Sequence, residues 1–575
     1  MKRGYWLMAM VLVPVVLLAQ ASKLAPELQQ ATGTQSVAVI VQYKVAALTT
    51  QQSVIRLRSG QVFGQLGIIN AVRALVPAAS LAALAADPTV AYVSPDRMVS
   101  GTMNNAAPAV MANYAWGIGL DGARVGVALV DSGIHAVDDI GKPTGGSRIL
   151  ARFDYTGEGP DDLYGHGTHV AGIIGGNGAD SVCSVCNVAI KGIAPNVNLV
   201  SFKVLNSQGQ GLESAVIQAI QAAIQLKSAY NIRVMNLSLG RPIFESYQHD
   251  PLCQAVEQAW KAGIVVVVSA GNGGRDNTFG TAGYGMIESP GNDPYVITVG
   301  ATNSKGTPDR GDDVMTSYSA KGPTAIDHIV KPDLVAPGNR VVSLAAPAWL
   351  ESQYKENAVP LSYYQSGGGS VTSSSYFVLS GTSMASGMVS GGVALLLQKD
   401  PSLTPDQVKA RLMKTAYKGL PRYITVVDGD AAYNIESDIF TVGAGFLDLQ
   451  AALSNTEKAP GVAKSPVAAY DTASGNAYFV ADILTPWGMA AYGNRIPLPK
   501  PLSVWDSAAV WGPAQFVIGA PPSGNSAMWG SSAMWGNSAM WGNSAMWGNS
   551  AMWGNSAMWG NSAMWGNGVE VKGEN

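Results

Sequence analysis

The sequence predicts an α/β fold whose large central part is a three-layer domain built on a parallel sheet. Between residues 124 and 302 it contains near-continuous apolar stretches, typical of strands buried on both faces: RVGVALVD, NLVSFKVL, IRVMNLSLG, GIVVVVSAGN and YVITVGAT. Segments with helical periodicity lie between them, as in LESAVIQAIQAAIQLKSAY and DPLCQAVEQAWKAG. This alternation predicts parallel strands joined by right-handed helical crossovers. Asp131 and Asn272 fall at carboxyl ends of strands, where such sheets place their functional sites.

The composition indicates a globular protein of more than one domain. A chain of 575 residues is longer than one ordinary domain, and 47% of its residues are hydrophobic. Charged residues make up 13%, against a usual share of about 25%. The net charge of −3 provides no basic face, so we expect no nucleic-acid partner.

The N-terminus is typical of a secretory signal. Lys2 and Arg3 precede an apolar run that ends at Ala19-Gln20-Ala21, a cleavage pattern of the A-x-A kind. The alternative is an uncleaved anchor, but the run contains Pro14 and is shorter than the ~20 residues that span a bilayer. We therefore predict that residues 1–21 are a signal peptide and that the protein is secreted or held at the cell surface. No later segment has the length and apolarity of a transmembrane helix.

The remaining chain divides into four further parts. Residues 22–103 are predicted to form a small α+β domain, with strands in SVAVIVQYKV and TVAYVSPD and a short helix in SLAALAAD. The Asn- and Ala-rich stretch Met103–Pro108 is predicted to be an exposed linker. Residues 104–455 form the large α/β domain. Residues 456–524, rich in Pro, Ala and Gly, are interpreted as a linker or loosely ordered extension, and residues 525–567 as a repeat.

The repeat is a tandem GNSAMW hexapeptide that places Trp at every sixth position from Trp529 to Trp565. A period of six scatters Trp around a helix but keeps it on one face of a strand. Any ordered part of this tail is therefore predicted to be β structure. Disorder and a small β-solenoid or stacked ladder remain alternatives, with self-association or attachment to a surface as the tail's role.

The cysteines suggest structure rather than chemistry. In an exported chain the CxxC pair Cys183 and Cys186 is predicted to form a local disulfide. A zinc site would need further ligands, and the neighbouring sequence has none. Cys253 is predicted to be a buried thiol within a helix.

Three motifs carry the chemistry of the chain. Asp131 in VALVDSGI, His166 in GHGTHVAG and Ser383 in SGTSMAS stand in the order acid, base and nucleophile, one of the known orders of a Ser-His-Asp triad. Each motif alone has an ordinary explanation, such as a turn Asp or a capping Ser. Their conjunction predicts a catalytic triad. His169, one turn further along the same helix, is predicted to be a packed, hydrogen-bonded histidine, because no third metal ligand accompanies the pair.

Asn272 in SAGNGG is the fourth candidate. An Asn side chain after a buried strand can donate to the oxyanion of an acyl-transfer intermediate, together with the Ser383 backbone N–H. The alternative is a turn Asn that precedes Gly273.

Over residues 114–453 the chain resembles the subtilisin family of serine proteases. The segments DSGI, GHGTHVAG, VMNLSLG, SAGN, KPDLVAPG and SGTSMAS stand in the family's order. The resemblance implies a triad of Asp131, His166 and Ser383, with Asn272 in the oxyanion hole. It also implies that a substrate pairs as an added strand between Gly209-Gln210-Gly211 and Ser238-Leu239-Gly240. The SLG and SAGN segments would wall the primary specificity pocket.

Residues 35–100 resemble the family's inhibitory propeptide, which the resemblance implies is cut away autocatalytically between about Arg97 and Ala107. The chain departs from the family at Gly387 and Met388, where relatives usually have Pro-His. It also departs in NGADSVCSVCNV, which replaces a calcium-binding loop of many relatives and leaves Asp139 as a lone candidate ligand. We therefore predict no cofactor for catalysis and no metal ligands, and a structural calcium is not supported by a recognisable loop.

These observations predict a secreted serine endopeptidase that acts on protein or peptide substrates through an acyl-enzyme and is inhibited by its own propeptide until processed. The alternative is a surface or matrix interaction protein on an inactive or weakly active protease scaffold. The Trp repeat and the Gly387-Met388 departure support that alternative.

Overall fold

The computed structural model describes residues 23–25, 28, 31, 33–45, 49–66, 70–95, 103–141, 145–277, 281–428, 431–459, 461–471, 476–480, 563–565 and 573–574. The chain forms two compact units, Met1–Val99 and Ser100–Asn575. The predicted signal peptide and most of the predicted repeat lie outside the described residues. No helix of the described part is long and apolar enough to cross a membrane.

The first unit is a small antiparallel sheet with the strand order β2 (Gln61–Leu66), β3 (Ala71–Pro77), β1 (Ser36–Tyr43) and β4 (Val90–Pro95). Its apolar side chains, among them Val39, Val41 and Ile55, form a core of their own. The strands predicted in SVAVIVQYKV and TVAYVSPD and the helix in SLAALAAD are present. Its elements are β1 Ser36–Tyr43, α1 Thr49–Arg56, β2 Gln61–Leu66, β3 Ala71–Pro77, α2 Leu81–Ala85 and β4 Val90–Pro95.

The second unit contains a mostly parallel sheet, with the order β6-β7-β5-β9-β10-β11; β13 pairs parallel and β12 antiparallel to β11. The five strands predicted from apolar runs are β5, β7, β9, β10 and β11, and the prediction is confirmed. Every residue of β5 and β10 is buried, as expected for a sheet covered on both faces. The strands of this sheet are β5 Gly126–Asp131, β6 Ile149–Asp154, β7 Asn198–Lys203, β9 Ile232–Leu237, β10 Val265–Ser269, β11 Ile297–Asn303, β12 Val314–Met315 and β13 Leu334–Pro337.

Shorter strands surround this sheet. They form a three-stranded group, two hairpins and a pair that joins the end of the chain to the strand β8. The members are β8 Gln210–Leu212, β14 Val341–Leu344, β15 Ala358–Pro360, β16 Thr372–Leu379, β17 Tyr423–Asp428, β18 Ala431–Glu436, β19 Val467–Asp471, β20 Asn476–Val480 and β21 Ala563–Trp565.

Helices cover the sheet in two groups and give the predicted three layers. α5 (His166–Gly175) and α10 (Thr382–Lys399) contact each other and the central strands, whereas α6 (Glu213–Gln225) and α8 (Pro251–Lys261) form a second contacting pair. The helix predicted over residues 212–230 is divided at Leu226 into α6 and α7. The helices of the second unit are α3 Met103–Ala109, α4 Ala112–Gly117, α5 His166–Gly175, α6 Glu213–Gln225, α7 Lys227–Tyr230, α8 Pro251–Lys261, α9 Trp349–Gln353, α10 Thr382–Lys399, α11 Pro405–Thr415, α12 Ile439–Val442 and α13 Leu449–Ser454.

One linker prediction is wrong. Met103–Pro108 is not an exposed linker but most of α3, and Ala106, Ala107 and Ala109 are buried in the main core. Alanine has the highest helix propensity of the residues, and its small side chain packs closely against a neighbouring surface. In the segment expected to be a linker, residues 456–524, β19 and β20 form an antiparallel pair.

Candidate active site

Asp131 and His166 meet at the carboxyl end of β5. Asp131 is the last residue of that strand, and His166 begins α5. His166 Nδ1 lies 2.7 Å from Asp131 Oδ1, and both side chains are fully buried. Asp131 Oδ1 also accepts a hydrogen bond from the Ser132 N–H at 2.8 Å. A carboxylate in this position holds the imidazole ring in one orientation, with Nε2 directed away from the acid.

The start of α5 is held by a second acid. Asp162 accepts hydrogen bonds from the backbone N–H groups of Tyr164, Gly165 and Thr168, and from the Thr168 hydroxyl. These are groups at the beginning of a helix that otherwise lack partners. Because His166 lies between them, Asp162 fixes the backbone from which the imidazole projects. Asp162 is thus a positioning residue.

The charge of Asp131 sets the protonation of His166. Burial lowers the pKa of the His166 imidazole, but the carboxylate and hydrogen bond of Asp131 outweigh it, so that the pKa lies above its ordinary value of 6.5. The neighbouring His169 behaves oppositely. Its Nε2 lies 3.1 Å from the carbonyl oxygens of Val341 and Phe377, and burial lowers its pKa to about 3. His169 is therefore a packed, neutral histidine, as its sequence context predicts.

Ser383 lies in the first turn of α10 and is almost completely buried. Its Oγ donates to the Ser238 carbonyl oxygen at 3.3 Å. His166 Nε2 is buried and has no hydrogen-bond partner among the described residues. The serine and the imidazole are thus not hydrogen-bonded in this state. Catalytic hydrogen bonds are often long or unformed without substrate and tighten in the complex.

The side chain of Asn272 is oriented by the same helix start. Its Oδ1 accepts hydrogen bonds from the Thr382 N–H at 3.0 Å and from the Thr382 hydroxyl at 3.1 Å. These bonds occupy the acceptor end of the amide, so the donor end, Nδ2, lies on the side of Gly381. The arrangement brings an N–H donor to the turn that precedes Ser383.

The departure at Gly387 and Met388 has a packing explanation. A Cβ on Gly387 would lie 3.1 Å from Ile173 Cγ2 and 3.5 Å from Val170 Cγ1, both on α5. Gly387 therefore allows the helix that carries Ser383 to approach closely the helix that carries His166. Met388 is fully buried in the same core. Both residues thus belong to the packing between these two helices.

The predicted substrate-binding segments lie beside these groups. Ser238, which follows β9, donates from Oγ to the Ser383 carbonyl at 3.1 Å. Gly209 lies against the ring of Tyr164, since a Cβ there would be 2.6 Å from Tyr164 Cζ. The Tyr164 ring centroid is 6.4 Å from that of His166. Leu239, Gly240, Gln210 and Gly211 adjoin these positions in the chain.

Sequence reasoning missed several neighbours of the site. Trp349 stacks on Tyr164 with centroids 5.7 Å apart and is 41% exposed, although it is far from His166 in the sequence. No local pattern could have linked the two. Asp162 could have been found, because an Asp that shortly precedes a helix start is a typical cap. Glu288, whose carboxyl group lies next to Gly271 and thus near Asn272, was also missed.

The remaining sequence predictions concern cysteines and metals. Cys183 and Cys186 form a disulfide, and Cys253 is a buried free thiol in α8, both as predicted. Asp139 accepts hydrogen bonds from the Asp180 N–H and the Tyr376 hydroxyl. Within the described part of the chain, no group of three or more His, Cys, Asp or Glu residues is placed to hold a metal ion.

A covered parallel sheet with Asp, His and Ser at these positions is typical of subtilisin-like serine endopeptidases. The profile of the subtilase family (Peptidase_S8) matches residues 122–445, more than half of the chain. The chain therefore belongs to the subtilase family and is a subtilisin-like serine endopeptidase, a hydrolase that acts on proteins.

Curated relatives agree with this assignment. Serine protease AprX of Bacillus subtilis (strain 168) is 39% identical over 305 residues, which are 51% of this chain and 61% of AprX. Subtilisin DY of Bacillus licheniformis is 34% identical over 310 residues, or 54% of this chain and 89% of the relative. Subtilisin E of Bacillus subtilis (strain 168) is 31% identical over 376 residues, which are 64% of this chain and 80% of the relative. The match thus spans less than two thirds of AprX but most of the subtilisins.

Proposed function

We propose that this chain is a secreted endopeptidase that hydrolyses peptide bonds in proteins through Asp131, His166 and Ser383. The observation that carries the proposal is the 2.7 Å contact between His166 Nδ1 and Asp131 Oδ1. It fixes the ring of a fully buried histidine whose Nε2 has no hydrogen-bond partner among the described residues, on the helix that packs against the helix containing Ser383. An imidazole so held is suited to accept a proton from a hydroxyl.

The reaction follows from these positions. The Ser383 hydroxyl turns from the Ser238 carbonyl, loses its proton to His166 Nε2 and attacks the substrate carbonyl. Asn272 Nδ2 and the Ser383 N–H donate to the oxyanion that forms. His166 then gives its proton to the leaving amine, and water hydrolyses the acyl-enzyme by the reverse route. The substrate would lie as an added strand between residues 209–211 and 238–240.

Export and self-processing complete the proposal. Residues 1–21 would be removed as a signal peptide, and residues 22–103 would act as an inhibitory propeptide that the enzyme itself releases. The apolar N-terminal run and the separate folded unit Met1–Val99 support this order of events. The site of action would be extracellular.

A serine-directed fluorophosphonate tests the proposed nucleophile. We expect it to label Ser383 in the processed protein, as located by peptide mass spectrometry, and to abolish hydrolysis of casein. The proposal would be contradicted if the label attached to a residue other than Ser383 and casein were still hydrolysed. It would also be contradicted if the processed protein took up no label.

Asn272→Ala tests the oxyanion role. We expect kcat to fall by about 10²–10³-fold with little change in KM, the effect known for loss of the oxyanion Asn from a subtilisin. The donor acts on charge that develops in the transition state, so substrate binding is spared. Steady-state kinetics on a peptide anilide measure this split. Asn272 Oδ1 also accepts hydrogen bonds from Thr382, and Asn272→Ala removes these bonds too. Asn272→Asp is the control, because it keeps oxygens that can accept from Thr382 and removes only the N–H donor.

A further inference from the structure

Glu288 lies between the two segments that the family resemblance assigns to the walls of the primary specificity pocket. Its N–H donates to the Ala270 carbonyl at 3.1 Å. The next residue, Ser289, exchanges two backbone hydrogen bonds with Arg241, which directly follows Gly240. Glu288 is thereby attached to the SAGN segment on one side and to the SLG segment on the other.

The side chain of Glu288 points along the SAGN wall. A Cβ on Gly271 would lie 2.9 Å from Glu288 Cδ and 3.2 Å from Oε1, and Gly271 has a φ of +103°. Both the backbone conformation and the closeness of this carboxyl group require glycine there. Gly271 directly precedes Asn272, so the carboxyl group lies close behind the proposed oxyanion hole.

The carboxyl group has no partner of opposite charge. Glu288 is partly exposed, but its Oε2 is buried without a hydrogen bond, and Glu288 joins no ion pair among the residues that the structure describes. Burial raises the pKa of Glu288 to about 7. A buried carboxylate left unpaired is costly, and buried charges in proteins are normally paired. The group is therefore placed to receive a cation that the described part of the chain does not supply.

We propose that Glu288 selects substrates with Arg or Lys at the residue whose carbonyl Ser383 attacks. The inference rests on the proposed function, because it needs the specificity pocket beside a working nucleophile. A long cationic side chain that enters between the two walls would pair with the Glu288 carboxylate by charge-assisted hydrogen bonds. A neutral apolar side chain would leave the carboxylate unpaired, or would require its protonation.

The test compares Glu288→Gln with the wild type on chromogenic peptide anilides that differ only in Arg, Lys or Leu at the reacting residue. Gln keeps the shape of Glu and removes its charge. We expect the wild type to hydrolyse the Arg and Lys peptides with a higher kcat/KM than the Leu peptide. In the variant, the ratio of kcat/KM for the Arg peptide to that for the Leu peptide should be about 100-fold smaller. Asp313→Asn is the matched control, because Asp313 also has buried, unpartnered oxygens and a pKa raised to about 7 by burial.

The pH dependence gives a second readout. A carboxyl group with a raised pKa is neutral below that pKa and charged above it, so the wild-type ratio of Arg to Leu should rise from about pH 6 to about pH 8. The ratio should stay flat in Glu288→Gln, since titration of His166 affects both substrates alike.

Two results would overturn the inference: a wild type that hydrolyses the Leu peptide as well as the Arg peptide, or a ratio that survives Glu288→Gln. Failure of the proposed function would look different, because no peptide would then be hydrolysed and Ser383 would take up no label.

A separate observation concerns the C-terminal segment. The last hexapeptide copy forms β21, which pairs antiparallel with β8 in the register Ala563 to Leu212, Met564 to Gly211 and Trp565 to Gln210. β8 contains two of the residues predicted to pair with substrate. The backbone of the tail thus takes the position on this strand edge that the resemblance reserves for substrate.

Two described residues further along the tail, Gly573 and Glu574, contact the segment that precedes Ser383 and its neighbours. Glu574 is buried, and its Oε1 accepts hydrogen bonds at 2.8 Å from Arg275 Nη2 and the Ser317 N–H, and another from the Ser317 hydroxyl. Asn339 exchanges two hydrogen bonds with the Glu574 backbone. A Cβ on Gly573 would lie 2.5 Å from the Oγ of Ser380, three residues before Ser383.

We infer that the strand β21, Ala563–Trp565, competes with substrates for the strand edge β8, an inference that also rests on the proposed function. Deletion of residues 563–575 should lower KM for a peptide anilide by about 10-fold and leave kcat unchanged, because a tethered competitor acts at high effective concentration. A synthetic peptide of residues 562–575 should then inhibit the truncated enzyme competitively. Deletion of residues 537–548, two internal repeats, is the matched control that keeps the docked segment.

An unchanged KM after truncation would overturn this inference, as would an internal deletion that lowers KM equally. Glu574→Lys should lower KM part of the way, since it places like charges at Arg275. Absence of hydrolysis by every variant would instead count against the proposed function.

Discussion

Ser383→Ala is expected to lower kcat by about 10⁶-fold, the loss known for the nucleophile of a subtilisin. The substitution removes the oxygen that is proposed to form the acyl-enzyme. Folding should be preserved, because the Ser383 hydroxyl makes a long hydrogen bond of 3.3 Å to Ser238. The measurement is the intact mass of the secreted protein, with wild type and variant expressed from the full-length chain. The wild type should lose about 80–100 N-terminal residues, the size of a small domain, and the variant should not.

Ser390→Ala is the matched control for this experiment. Ser390 is buried in the same helix α10, and its hydroxyl donates to Asn236 Oδ1 at 2.8 Å. The control should mature and hydrolyse casein like the wild type. If Ser383→Ala is trimmed as the wild type is, or if neither is trimmed, Ser383 does not drive maturation. The alternative of a protease scaffold with an interaction role would then gain support.

Asp131→Asn is expected to lower kcat by about 10⁴-fold, as known for the equivalent change in a Ser-His-Asp triad. The carboxylate accepts from His166 Nδ1 at 2.7 Å, and an amide that donates there would favour the wrong tautomer. It also raises the pKa of His166 against the effect of burial. The base must be neutral to act, so wild-type activity should be lost as the pH falls through this raised pKa.

The acid limb of the pH profile separates the role of Asp131 from general damage. With the carboxylate removed, burial continues to lower the pKa of His166, so the residual activity of Asp131→Asn should persist to lower pH than that of the wild type. Profiles of kcat/KM against pH measure this shift. Asp313→Asn removes a buried carboxylate elsewhere and should leave the limb in place. An unshifted limb in Asp131→Asn would show that Asp131 does not set the protonation of the base.

The three motifs and the main sheet could be predicted because their signals are local. Buried parallel strands are written as continuous apolar runs, and β5, β7, β9, β10 and β11 occur where those runs lie. The capping box at Thr404 and the N-cap Asp250 are equally local, since each acts on backbone groups within one turn. The CxxC disulfide could be predicted because its two cysteines are only three positions apart in the sequence.

The sequence predictions were wrong or absent where the local structure depends on contacts with residues far away in the chain. Met103–Pro108 looks like a linker by composition, yet the large unit's core buries its alanines and makes a helix of it. Trp349 reaches Tyr164 only through the packing of α9. The strand Ala563–Trp565 depends on a partner edge some 350 residues earlier in the chain.

The sequence by itself determined the family, the main sheet and the candidate triad, because each is encoded in short patterns of apolarity, glycine and functional residues. The tertiary structure decided the environment of those residues. Glu288 in MIESPG has no distinguishing local pattern, and the segments Ala270–Gly271 and Arg241 that enclose it come from two other strand ends. Desolvation and strand pairing arise between segments that meet only in the folded chain, and these two effects give Glu288 and the C-terminal tail the roles inferred for them.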